Sequence, residues 1–219
     1  MSSPISKRCT LLELSQASLH GHFSALCSYP FLLAYRHGIG METGLSVSER
    51  SALQGMTSVV RKNEYLLGRG ALKDILQALG KSTDTAALQW PSGFCSLSHS
   101  HGHAVAVGLP SDSGIGVDLQ LNRTPAAQMA DRILSEDTLA YWNLAEEDEK
   151  ASMLQRFWTV NEAVYKASAA PQPAYFRHYR MDDPASLDST VRIQGIDCRY
   201  RVQSAQVPGG YISLAWRLE

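Results

Sequence analysis

No apolar run in the 219 residues reaches the ~18 needed for a membrane span, and the opening stretch MSSPISKRCTLLEL has no secretory hydrophobic region. A soluble, cytoplasmic protein without a membrane role is therefore expected. Cysteine is scarce: Cys9, Cys27, Cys95 and Cys198 are scattered with no C-x-x-C pair, which argues against a disulfide scaffold or a cysteine zinc site and for reduced core thiols. Net charge is also scarce. A formal −1 argues against a nucleic-acid binder working by bulk electrostatics. The 9 Pro and 16 Gly follow no period, which excludes a collagen-like chain. With no G-x-S-x-G elbow, the juxtaposition of Ser98-His99 and Asp118 gives only a superficial hydrolase set.

The small net charge hides an asymmetry. Residues 1–110 carry 9 Lys+Arg against 6 Asp+Glu, and residues 111–219 carry 11 against 15. A polyanionic ligand suits the first half and a divalent cation the second. The length allows one large domain or two small ones, and a core that needs no staple.

Patterning supports two α+β lobes, 1–112 and 113–219, joined near 110–114. In the first, Leu32–Tyr35 suggests a strand and Ser46-x-x-Glu49 is a capping box that opens a helix. Leu53, Met56 and Val60 follow at helical spacing, and a second helical run from Tyr65 to Leu79 stops at Gly80. Strands are expected at 94–98, 104–109 and 115–121, the last two as a hairpin across Pro-Ser-Asp-Ser-Gly. The second lobe starts with helical stretches at 125–133 and 135–144. The clearest helix, 148–169, ends before Pro171 and Pro173. Three strands then follow, at 190–194, 198–204 and 211–218.

Four features carry possible chemistry. His99, His101 and His103 alternate, so on a strand they would share a face and converge on a metal; otherwise each acts locally. Asp118 closes an apolar strand with Gln120 on the same face, as a turn former or a hard-metal ligand. Trp158, Glu162 and Lys166 stand at i, i+4 and i+8, either as a surface Glu–Lys pair or as a row beside the apolar stripe. Arg69 lies on the second helical run and Arg61 just before it.

Four phrases stand in order: R61-x-x-E-Y-L-L-G-R69; W90-P-S-G followed by S96-L-S-H-S; G116-V-D; and F157-W-T-V-N-E-A-V-Y-K-A. From about residue 46 to 170 this order and spacing resembles the 4′-phosphopantetheinyl transferases of the two-lobed Sfp/enterobactin type. Their landmarks are a basic G-R segment, S-x-S-H, G-[IV]-D and W-x-x-K-E-A-x-x-K. The resemblance implies an α+β fold of two similar lobes in pseudo-twofold arrangement, with the coenzyme nucleotide on the first lobe and metal and catalytic helix on the second. It implies Mg²⁺-dependent transfer of the phosphopantetheine arm of coenzyme A to a serine of an acyl or peptidyl carrier protein, releasing 3′,5′-ADP, by a monomer.

By position in the motifs, Asp118, Gln120 and Glu162 would face the metal, with Glu162 also the base. Lys166 would hold the phosphates and act in catalysis. Arg61, Arg69, Ser98 and His99 would bind the coenzyme. Two residues depart from the pattern: Gln120 stands where many relatives have a second acid, and Asn161 where the family has a lysine. They motivate an alternative, a catalytically weak relative that binds carrier protein. A third reading is a metal-dependent hydrolase built on the three histidines.

Overall fold

Ser46 opens a helix, as its spacing predicts. Its hydroxyl accepts from the Glu49 amide, and the Glu49 carboxylate accepts from the Ser46 amide at 2.7 Å. The computed structural model describes residues 12–24, 30–168, 173 and 175–218. Its helices are α1 (Gln16–Phe23), α2 (Val47–Gln54), α3 (Val59–Ala78), α4 (Ala130–Ile133), α5 (Glu136–Asn143) and α6 (Glu147–Ala167). Its strands are β1 (Leu32–His37), β2 (Cys95–Ser100), β3 (His103–Gly108), β4 (Ile115–Leu121), β5 (Tyr179–Met181), β6 (Asp188–Ile193), β7 (Arg199–Val207) and β8 (Gly210–Leu218). The architecture is α+β with two sheets, ordered β1-β3-β2 and β4-β8-β7-β6-β5. No described helix is long and apolar enough to cross a membrane.

The two sheets share one apolar layer. Leu33, Val105 and Val107 of the first meet Val117, Leu119, Ile212 and Leu214 of the second. Helix α3 covers the outer face of the first sheet, where Ala34, Ala104 and Ala106 receive Leu67, Leu72 and Ile75. Helix α6 covers the outer face of the second, with Leu154, Phe157, Val160 and Val164 over Tyr200, Val202 and Ala215. Strand β4 is thus covered on both faces, and Asp118 in its middle is buried.

Several expectations are corrected. The stretches at 104–109 and 115–121 form no hairpin: β1 and β2 already occupy both edges of β3, so β4 crosses to the second sheet and pairs with β8. The three histidines do not share a strand. β2 and β3 are joined by a two-residue turn in which His101 (φ 49) and Gly102 (φ 75) both take left-handed backbone. Helix α2 ends at Gln54, so Met56 lies in the connection and Val60 on the exposed start of α3. The short strand β5 was not expected. Cys95 is buried and Cys198 half-buried, both as free thiols, while Cys9 and Cys27 lie outside the described residues, as do position 169 and Pro171.

Where the sheets meet, β2 and β4 run side by side without pairing through their backbones. Instead the hydroxyls of Ser96, Ser98 and Ser100 accept the amides of Val117, Leu119 and Leu121, each at 3.0 Å. The constant offset of 21 residues makes the two strands parallel. Gly116 lets α6 come close to β4: a Cβ there would lie 1.9 Å from the Ala163 carbonyl oxygen.

Glu49 does more than cap α2. It is fully buried and binds the Lys73 ammonium at 2.8 Å and the Thr85 amide and hydroxyl. Burial pushes its carboxyl up, but Lys73, Thr85 and Ser46 more than offset this and hold it at about 2. A carboxyl depressed in the fold contributes stability that is present above its unfolded value near ~4.3 and lost as pH falls through the folded one. Glu49→Gln is expected to cost on the order of 3 kcal/mol at neutral pH, because it leaves Lys73 without its buried partner. The variant also loses less further stability than the wild type on acidification. Unfolding midpoints across neutral and acid pH check both, and equal acid slopes would contradict the assignment.

Candidate active site

Strands β2 and β4 and helix α6 converge on one cavity of about 380 Å³, lined by Ser98, His99, Asp118, Gln120, Trp158, Glu162 and Lys166 among others. Six of these are residues the sequence marked as site candidates, and Trp158 belongs to the i, i+4, i+8 row. Lys166 does not pair with Glu162 as a surface couple. Its ammonium reaches across to Asp118 Oδ1 at 2.6 Å and to the Val117 carbonyl at 3.3 Å.

Asp118 Oδ1 also accepts the Ser98 hydroxyl at 2.8 Å, whereas Oδ2 is buried and has no hydrogen-bond partner among the described residues. Such an orphan is costly in a folded chain unless a ligand or ion completes it. Glu162 stands one helical turn from Lys166 on the same wall. Burial raises its pKa first; the Lys166 ammonium pulls it back, and the Asp118 charge pushes it up again. The His99 imidazole has its pKa lowered by burial, partly offset by the Glu64 carboxylate 3.5 Å from its Nδ1.

A second cavity of about 300 Å³ adjoins the first, sharing Leu97 and Lys166 with it. Arg69, Trp90 and Tyr165 complete its walls. Arg69 is held there by the Thr85 hydroxyl at 2.9 Å and by the Tyr65 ring 4.7 Å away. Arg61 is not brought together with the others. It is exposed in the first turn of α3 and lines neither cavity. Asn161 also turns away, buried with its amide donating to the Ile133 carbonyl at 2.8 Å. It therefore ties α6 to the end of α4 and removes no cation from the cavity.

Sequence reasoning gave no role to Glu64, Trp90, Tyr165 or Thr85. Only the crossing of α3 over β2 brings Glu64 to His99, and no periodicity within either element encodes that.

The donor set suits a hard divalent cation. Asp118, Glu162 and Gln120 line one space, one Asp118 carboxylate oxygen is unsatisfied, and oxygen donors of this kind could hold such a cation. Among the described residues no three His, Cys, Asp or Glu side chains form a metal-binding group, the three alternating histidines included.

No curated protein matches the chain closely enough to count as a relative. The family description "4′-phosphopantetheinyl transferase superfamily" matches residues 114–213, the stretch that holds β4, α6 and the strands beneath them. Asp118, Gln120, Glu162 and Lys166 all fall within it. The match to that superfamily spans residues 114–213, a little under half of the chain.

Proposed function

We propose that this protein transfers the 4′-phosphopantetheine arm of coenzyme A to a serine of an acyl or peptidyl carrier protein, with Mg²⁺, releasing 3′,5′-ADP. The observation that carries this reading is the pairing of an unsatisfied buried carboxylate oxygen on Asp118 with a burial-raised Glu162 one helical turn from Lys166, all in one cavity.

Asp118 and Glu162, with Gln120, would hold the cation, which when bound neutralises pyrophosphate charge. Glu162 takes the proton of the carrier serine, directly or through a water; its raised pKa makes it a better acceptor than an exposed carboxylate. The serine oxygen bonds to the β-phosphorus as the bond to the bridging oxygen breaks, and the electron pair leaves with 3′,5′-ADP. Lys166 sits at the junction of the two cavities, where its ammonium balances charge on the phosphates. Arg69, with Trp90 and Tyr165 beside it, lines the space for the nucleotide end.

Intact-mass measurement of an apo-carrier protein after incubation with this protein, coenzyme A and Mg²⁺ tests the reading. A mass gain equal to the arm supports it, and an unmodified carrier supports the binding-module alternative. That alternative rests now on Gln120, because Asn161 lies outside the cavity.

Arg69→Ala is expected to raise the KM for coenzyme A by roughly tenfold or more, the worth of one charge-assisted bond. Arg61→Ala changes it by less than about threefold, because Arg61 lines neither cavity. Steady-state kinetics on the two variants check this, and a larger effect at Arg61 would move the nucleotide end toward the start of α3.

A further inference from the structure

The serine ladder between β2 and β4 has three rungs, and one differs. Ser96, Ser98 and Ser100 each accept an amide from β4. Only Ser98 also donates to a carboxylate, Asp118 Oδ1 at 2.8 Å. A hydroxyl has a single hydrogen. With that hydrogen on Asp118 and one lone pair taken by the Leu119 amide, Ser98 has no donor left for a phosphate of the coenzyme. A bond from this hydroxyl to the coenzyme, the role implied by its place in the S-x-S-H motif, would require giving up the bond to Asp118.

Asp118 shows what the bond achieves. Oδ1 carries two donors, Ser98 and Lys166, and Oδ2 carries none. The two donors fix the plane of the carboxylate and saturate one oxygen, so the other is left to a ligand. One of these donors, Lys166, is partly exposed on a flexible stem and shared with the second cavity. The other, Ser98, is buried and tied to the backbone of β4 itself. When phosphates draw the ammonium away, Ser98 alone keeps the carboxylate in place.

From this we infer that Ser98 is a positioning residue that presents Asp118 Oδ2 to the divalent cation, and that its hydroxyl donates no bond to the coenzyme. The inference rests on the proposed placement of a cation at Asp118, and it assigns to the edge strand of the first sheet a part in building the cation site of the second. Groups that orient metal ligands in this way commonly change metal affinity by 10–100-fold when removed.

The test measures Mn²⁺ binding to the full chain by electron paramagnetic resonance, without coenzyme, and alongside it the KM for coenzyme A at saturating Mg²⁺. Ser98→Ala is expected to weaken Mn²⁺ binding about tenfold or more, with the coenzyme KM changed less than about twofold. Ser98→Cys fills the same space with a weaker donor and should fall between Ala and wild type. Ser100→Ala breaks the neighbouring rung, which holds no aspartate, and controls for loosening of the ladder. It should lower the melting temperature without moving Mn²⁺ affinity. If Ser98→Ala does not fold, Ser98→Cys carries the comparison. Unchanged Mn²⁺ affinity with a raised coenzyme KM in either Ser98 variant overturns the inference, as does an equal loss of Mn²⁺ affinity in Ser100→Ala. The proposed activity is read separately: a wild type that modifies no carrier, yet loses Mn²⁺ on Ser98 substitution, refutes the transferase reading and leaves the role of Ser98 at the cation standing.

Discussion

Glu162→Gln is expected to lower carrier modification by about a hundredfold to ten-thousandfold while the melting temperature stays level or rises. On the proposed mechanism the loss follows from removing the proton acceptor and one anionic cation ligand together. The stability result follows from burial. A carboxyl whose folded pKa is raised favours the fold below its unfolded value near ~4.3 and loses that contribution as pH rises through the folded value. Above that range the wild type keeps a buried charge at a cost, and the neutral amide has no such charge to desolvate. The gap in stability between variant and wild type therefore widens in the variant's favour from acid to neutral pH. Transfer assays and melts at several pH values read both. Near-wild-type transfer, or a variant much less stable at neutral pH, would contradict the role given to Glu162.

Lys166→Met has the opposite stability signature. Asp118 is buried with only two donors on Oδ1, and the variant removes the charged one. Stranding that carboxylate costs roughly 3 kcal/mol, a fall of about 6–12 °C in a chain of this size. Transfer falls as well, because no ammonium remains to balance the phosphates. The distinguishing result is the response to a divalent cation. With a cation at the proposed position, Mg²⁺ or Mn²⁺ would take over the neutralising role of the ammonium, so added cation is expected to raise the melting temperature of the variant more than that of the wild type. A variant whose melting temperature is low and indifferent to cation would show that Asp118 does not face a cation position.

The two variants also show what the sequence made legible. The row Trp158, Glu162, Lys166 was readable because helix periodicity alone puts these residues on one edge, and they do line one cavity. Asp118 and Gln120 were readable as neighbours on one strand face for the same kind of reason. The partner of Lys166 was not readable. Helix spacing favoured Glu162 at i−4, but the close approach of α6 to β4 over Gly116 offered a buried carboxylate instead. Asn161 looked like a lost cation because it precedes Glu162; α6 is covered on more than one side, and position 161 faces α4.

Topology defeated local pattern twice. An apolar stretch, a polar turn and a second apolar stretch look like a hairpin whether or not an edge of the first strand is free. Here β3 had no free edge, and the turn at 110–114 became the crossing between sheets. Alternating histidines look like one strand face until a left-handed turn falls between them, as it does at His101-Gly102. The serine alternation at 96, 98 and 100 was visible in the same way. That its hydroxyls would bond β4 depended on two strands lying parallel with no backbone pairing between them.

In the proposed transfer one bond, between the β-phosphorus and its bridging oxygen, is exchanged for a bond to a carrier serine. Coenzyme A labelled separately in the pantetheine arm and in the 3′-phosphate measures this most directly. After incubation with the protein, Mg²⁺ and an apo-carrier, the account predicts that the arm label is covalently on the carrier serine and that all of the 3′-phosphate label is in soluble 3′,5′-ADP. Both labels on the carrier, or neither, would contradict it.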